Sequence, residues 1–191
     1  MKFNFRRAAF EFVSIVVAVI LAMTLTEWRQ DYLNRQLSKQ SLANIIEEVE
    51  QNRAELIEDS VKINRDIQFM TQWISDFDKG KQLDDFSLNF SYSFLSSSAL
   101  EVAKINNSLT FLPNSVNMQI AEMYATQTFY SENALKLFDT MGKLGTTNDK
   151  DKLEQFVNTA RELRFQMLLI RNTVKAYLTE SAEFLIDQAL R

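Results

Sequence analysis

"LANIIEEVEQNRAELIEDSVKINRDIQFMTQWISDF", residues 42–77, decides the fold. Leu42, Val49, Leu56, Ile63, Met70 and Phe77 recur every seven residues, and a second row, Ile46, Arg53, Ser60, Ile67 and Ile74, sits four after each. Such a stripe, sustained over about five heptads, describes a long helix packed along its length. Arg53 and Ser60 interrupt the second row. A polar residue in a seam either fixes register or faces the polar rim of a neighbouring helix. The second role is expected of Arg53, which makes it a candidate interaction residue.

Toward the C-terminus the pattern returns. Leu153, Ala160, Met167 and Val174 form one row of a last helix, and Phe156, Leu163, Ile170, Tyr177 and Phe184 form the other. Asn148, with Asp149 and Asp151, suits its N-terminus. A helix after Pro113 carries Val116, Ile120, Met123, Tyr130, Ala134, Leu137 and Met141 at three- and four-residue steps, with Gly142 and Gly145 as its stop. A shorter helix opens on a Ser98-x-x-Glu101 capping-box pattern. Only "DFSLNFSYSFL", residues 85–95, breaks the helical period. There Phe86, Leu88, Phe90, Tyr92 and Phe94 alternate with small polar residues, which is strand spacing. A lone strand leaves backbone groups unpaired. The segment is therefore expected to run extended over the bundle with its aromatics inserted, the alternative being pairing with a strand of another chain. Phe86, Phe90, Tyr92 and Phe94 are candidate interaction residues.

Toward the N-terminus the helix has no Gly or Pro to stop it, and residues 8–26 contain one ionisable group, Glu11. Nineteen residues at helical rise cover roughly 28 Å, close to the hydrocarbon thickness of a bilayer. Trp28 and Tyr32 follow where amphipathic aromatics lie at headgroups. The run ends in Met23-Thr24-Leu25-Thr26-Glu27-Trp28, a poor cleavage site, so an uncleaved anchor is expected. Lys2, Arg6 and Arg7 crowd the short segment before it, which places that segment in the cytoplasm and the body in the periplasm of a bacterial inner membrane. Glu11 stands four residues after Arg7, at helical spacing for an interfacial ion pair. A proton-linked role for Glu11, as in the smaller subunits of proton-driven stators, is the sharper and less favoured reading. Arg7, Glu11, Trp28 and Tyr32 are thus the candidate anchor and interface residues, with membrane lipid as their partner.

The expected fold is all-α: an N-terminal transmembrane helix continuing into a long helix, packed with two further long helices and a short one as an antiparallel bundle. Its divisions are a tail, 1–7, an anchor, 8–26, and a helical body, 27–191. The body comprises a long helix over 27–79, the extended aromatic segment 84–96, a short helix 98–106, and helices 114–142 and 148–190. Three Gly and one Pro in 191 residues agree with long uninterrupted helices.

The anchor and body resemble a family of uncharacterised single-pass bacterial membrane proteins carrying a domain of unknown function. Glu11 and Trp28 match that family's Glu and Trp at the same separation, and Ala22 matches its Ala. "SLANIIEEVEQN" (41–52) and "SALEVAKINNSLTFLPNSVNMQIAEMY" (98–124) are similar to its later blocks. Ala18, Glu27 and Leu100 depart from it. The resemblance implies the single-pass topology and the helical body, and no activity.

With no His and no Cys, the commonest general base, the commonest metal ligand and the thiolate nucleophile are all missing. No Gly-rich phosphate loop and no Gly-x-Ser-x-Gly elbow occurs. Glu47, Glu48, Glu50, Glu55, Glu58 and Asp59 read as a solvated helix face. No enzyme, cofactor or metal is expected. A net charge of −4 with interspersed signs argues against nucleic acid. A helical-bundle sensor, with Tyr124, Phe129 and Tyr130 around a ligand, would need a second span after "FLIDQALR", and those aromatics are better read as core. The class that remains is a membrane scaffold or accessory subunit, a homo-oligomer or one part of a larger membrane-protein complex.

Overall fold

The computed structural model describes the backbone of residues 5–81, 86, 92–143 and 150–190, and the side chains of the same residues except 5–9 and 150–152. The described residues are almost wholly helical and contain no strand. Helix α1 is a single element from Phe5 to Asp78, 74 residues long and therefore about 110 Å. It ends where Gly80 turns left-handed at φ +67°. There Gly80 N–H bonds to Phe77 O at 2.9 Å and Lys81 N–H to Asp76 O at 3.0 Å. These two bonds cap orphan carbonyls of the last turn in the Schellman manner, and the conformation suits the one residue type without a Cβ.

After α1 the chain runs back down its side. Phe86 packs on Phe69 and Trp73, Ser93 bonds to Asp59, Ser96 to Asn52, and Ala99 to Glu48. Helix α2 (Ser98–Ile105) and a 3-10 turn over Ser108–Phe111 complete the descent, with Ser108 Oγ at 2.8 Å from Ser41 Oγ. Helix α3 (Asn114–Gly142) starts directly after Pro113, whose carbonyl receives Val116 N–H and Asn117 N–H. It climbs parallel to α1, since Tyr124 meets Glu48 and Gln127 meets Asn52. Helix α4 (Lys150–Ala189) returns antiparallel to α1, with Arg161 on Asp78 at 2.6 Å and Arg53 on the Leu178 carbonyl.

Helix α4 packs against both α1 and α3. Leu56, Ile63 and Met70 of α1, Ile120, Met123 and Leu137 of α3, and Leu163, Met167 and Tyr177 of α4 are fully buried there. At about 1.5–3 kcal/mol per large apolar side chain, this core holds the body together. The heptad rows are thus buried within one chain.

Two expectations need correction. Ser98 and Glu101 do not form a capping box: the N-cap is Ser97 with no side-chain cap bond, and Ser98 Oγ turns instead to Glu48 while Glu101 pairs with Lys104. Ser98 is the first residue of the helix rather than its N-cap, and its hydroxyl donates to a carboxylate of α1, a strong charge-assisted bond. The buried face of α1 is also wider than two rows. Ile45, Asn52, Asp59, Asp66 and Trp73, three residues after each of the first five members of the first row, are all buried. A helix that touches two neighbours needs this broader stripe. Asn148, Asp149 and Gly145, read as the start of α4 and the turn before it, lie outside the described residues, as does the side chain of Asp151.

Replacing Leu56 with Ala is expected to destabilise the body by about 2–5 kcal/mol, because it opens a cavity at a fully buried site. Val61→Ala, on the exposed side of the same helix, is expected to stay within about 0.5 kcal/mol. Denaturant titration of the two variants in detergent micelles checks the contrast.

Candidate functional site

The polar residues of the third row hold the returning chain. Asn52 acts as a strand would: its Oδ1 accepts Ser96 N–H at 2.9 Å and its Nδ2 donates to Ser96 O at 2.8 Å. Gln127 Nε2 of α3 donates to the same carbonyl at 2.8 Å, and Asn52 Nδ2 lies 3.3 Å from Gln127 Oε1. One heptad further along, Asp59 Oδ2 accepts Ser93 N–H at 2.6 Å, and Tyr130 Oη donates to Ser93 O at 3.2 Å. The segment 92–97 is therefore a strap whose main chain is paired by side chains from two helices. Three extended residues advance about 10 Å and seven helical residues about 10.5 Å, so a three-residue step along the strap matches one heptad of α1.

Glu48 closes the lower end. Its Oε2 accepts Ser96 Oγ at 2.7 Å, Ser98 Oγ at 2.9 Å and Ala99 N–H at 2.9 Å, and its Oε1 accepts Tyr124 Oη at 2.5 Å. Burial pushes this carboxyl up, but the bonds from Ser96, Tyr124, Ala99 and Ser98 outweigh it and hold it below its ordinary value. Asp66, two heptads above Asn52, is the opposite case. Burial raises it, Arg65 offsets this only in part, and its Oδ2 has no hydrogen-bond partner. Burial likewise lifts the phenols of Tyr92, Tyr124 and Tyr130, and pushes Tyr177 up to about 12, so each stays neutral.

The residues singled out by sequence are dispersed. Trp28 and Tyr32 are exposed on one face of α1, Gln36 Nε2 donating to Tyr32 Oη at 2.6 Å. Glu11 is exposed on the same helix, and Arg7 is helical with its side chain outside the described residues. Phe86 is edge-on to Trp73 at 5.1 Å and to Phe156 at 4.9 Å. Tyr92 is buried, while Phe94 is 69% exposed and stacks on Phe138 at 6.4 Å. The strap aromatics are therefore only partly inserted, and Phe90 lies outside the described residues. Arg53 faces α4, donating to Leu178 O and to Ser181 Oγ, so its neighbour is in the same chain. Tyr124 and Tyr130 are buried, and Phe129 is half exposed.

Glu48, Asn52, Asp59, Asp66 and Gln127 went unrecognised as a site. Glu48 and Asp59 belong to the supposed solvated face, yet both are buried. Their signal was the polar row at 52, 59 and 66, in step with Leu56 and Ile63 and offset by three. Chemically the arrangement binds extended main chain. Among the described residues no group of three or more His, Cys, Asp or Glu side chains could hold a metal. An open groove of about 510 Å³ between α2 and α3 borders the strap, and another of about 580 Å³ lies between α1 and α4. No protein-family model, no curated protein and no solved structure matches the chain.

Asp66→Asn is expected to raise the denaturation midpoint at pH 7. The sign follows from the raised folded value: the wild type is favoured below the ordinary 3.8 and loses that advantage as pH rises through the folded value. The gain of the variant should therefore vanish on acidification, which urea midpoints across the acid range will show.

Proposed function

We propose that this protein is a non-enzymatic, single-pass scaffold or accessory subunit of a bacterial inner membrane. In this reading residues 1–7 are cytoplasmic and the helical body stands in the periplasm, where it self-associates or docks on a larger membrane complex. One observation supports it above the others, the continuity of α1. An 18-residue stretch near its N-terminus reaches a mean hydropathy of 2.0 with none of it buried, long and apolar enough to cross a membrane. The same helix then carries Trp28 and Tyr32, exposed, and only from Ser38 onward enters the bundle. A rod built this way carries a folded body at a set distance from lipid without a flexible joint. The Lys2, Arg6 and Arg7 cluster before the apolar stretch gives the orientation.

A second reading, a ligand-binding module, draws on the groove between α2 and α3. Its floor is apolar, with Leu100, Leu109, Ile120 and Ala121, and its rim carries Lys104 and Ser131.

Alkaline phosphatase fused after residue 191 is expected to be active, and a cytoplasmic reporter at the same place inactive; the reverse pair overturns the orientation. Native mass spectrometry of protein extracted at natural abundance is expected to give a particle of fixed stoichiometry, either several copies or this chain with other membrane proteins. A monomer carrying a small-molecule adduct would favour the ligand-binding module instead.

A further inference from the structure

We infer that the strap and α2 form a separable unit latched to the three long helices by the Glu48 carboxylate, and that the unit opens when this carboxylate is neutralised.

Four groups donate to the carboxylate. Ser96 Oγ, Ser98 Oγ and Ala99 N–H converge on Oε2, and Tyr124 Oη reaches Oε1. Three of these four come from the strap and α2, and the fourth from α3, so one side chain of α1 ties together all the pieces that surround the cleft. An ionised carboxylate accepts all four at once, whereas a protonated one is itself a donor and forces one of the converging hydroxyls to give up its bond or turn round to accept. Among the described residues Glu48 has no salt-bridge partner. The titratable groups facing it are Tyr124 of α3, Tyr177 of α4 and Glu47 of α1, while the strap and α2 present only hydroxyls and a main-chain amide. No cation therefore stands ready to replace the lost contacts. A hollow of about 320 Å³ lined by Asn44, Glu47, Gln51 and Ser98 opens beside the carboxylate, so protons and water reach it without unfolding.

The long helices do not depend on this latch. The α1–α4 and α3–α4 interfaces are made by Leu56, Ile63, Leu137, Leu163 and Met167, remote from the strap in sequence and fully buried. The strap and α2 contribute fewer anchors, with Tyr92, Leu100 and Ala103 buried and Phe94 and Ile105 largely exposed. Opening uncovers Asn52, Asp59, Gln127 and Tyr130, the side chains that pair extended main chain. The device thus exposes a cleft suited to another extended segment.

The pH sign follows from the same geometry. Because the folded value of Glu48 lies below the ordinary 4.5, its contribution is complete above 4.5 and is lost as pH falls through the depressed folded value. Opening by acid therefore lies below 4.5, whereas Glu48→Gln opens the unit at neutral pH.

Hydrogen exchange by mass spectrometry on the full chain in nanodiscs, corrected for intrinsic rates, tests this. At pH 7, Glu48→Gln is expected to lower protection of amides 93–105 about tenfold, while amides 56–70 and 160–174 keep theirs. The wild type should show the same selective loss only on acidification below pH 4.5. The double variant Ser96→Ala/Ser98→Ala retains the carboxylate but removes two donors, so its opening should move to higher pH. Loss of protection in all helices together, an unchanged strap in Glu48→Gln, or an unshifted midpoint in the double variant would each overturn the latch.

Discussion

An extended segment without a ladder partner must have its backbone polar groups paired before it can be covered, and here that task falls to the side chains of one helix. Asn52 and Asp59 stand one heptad apart and take Ser96 and Ser93, which stand three residues apart. The two rises nearly coincide, so the spacing that serves helix packing serves the strap as well. The course of the chain between α1 and α3 depends on this match. It lets the chain descend along α1 without forming a helix, and it sets where α2 begins. Through Gln127 and Tyr130 it also fixes the height at which α3 stands beside α1.

The same constraint explains the composition of α1. The first heptad row is apolar because it runs down the middle of the buried face, between the row of Arg53 that meets α4 and the row of Asn52 that meets the strap. The row three residues on begins and ends with Ile45 and Trp73 but is polar between them, where the neighbour is main chain rather than side chain. An apolar residue at position 59 would leave the half-buried Ser93 N–H without its acceptor, a cost of about 1–3 kcal/mol. Asp66 marks the limit of the logic. It keeps the row and the carboxylate, but one of its oxygens has no donor, and burial raises it for that reason.

Much of the architecture was legible because it rests on periodicity. Leu42 to Phe77, Leu153 to Phe184 and the steps after Pro113 each announce a helix, and the structure buries most of them in one core. The aromatic alternation around Tyr92 marked the extended segment that precedes α2. What could not be read was how that segment is held. Two-residue alternation predicted a face of inserted aromatics, yet Phe94 is exposed and a three-residue spacing of main-chain bonds sets the register. Glu48 and Asp59 were indistinguishable from Glu47 and Glu58, because acidic residues on a helix look alike until their neighbours are known. A capping box was the obvious local use of Ser98, and only the approach of α1 shows why its hydroxyl points elsewhere.

The choice of a carboxylate at position 48, rather than a second amide like Asn52, has its own consequence. An amide offers one acceptor and one donor group, which suits a strap residue presenting both N–H and C=O. At the junction of the strap with α2 the chain presents donors alone: two hydroxyls, one free amide of a helix first turn, and a phenol from α3. Negative charge near that first turn is favoured by the helix dipole as well as by the bonds. Glu48 therefore does for α2 what a capping side chain does for most helices, but from a different helix. The start of α2 is tied to the position of α1 rather than to its own sequence. A helix whose cap belongs to its neighbour forms only when the two are docked, and this makes the strap and α2 respond as one element to whatever changes that carboxylate.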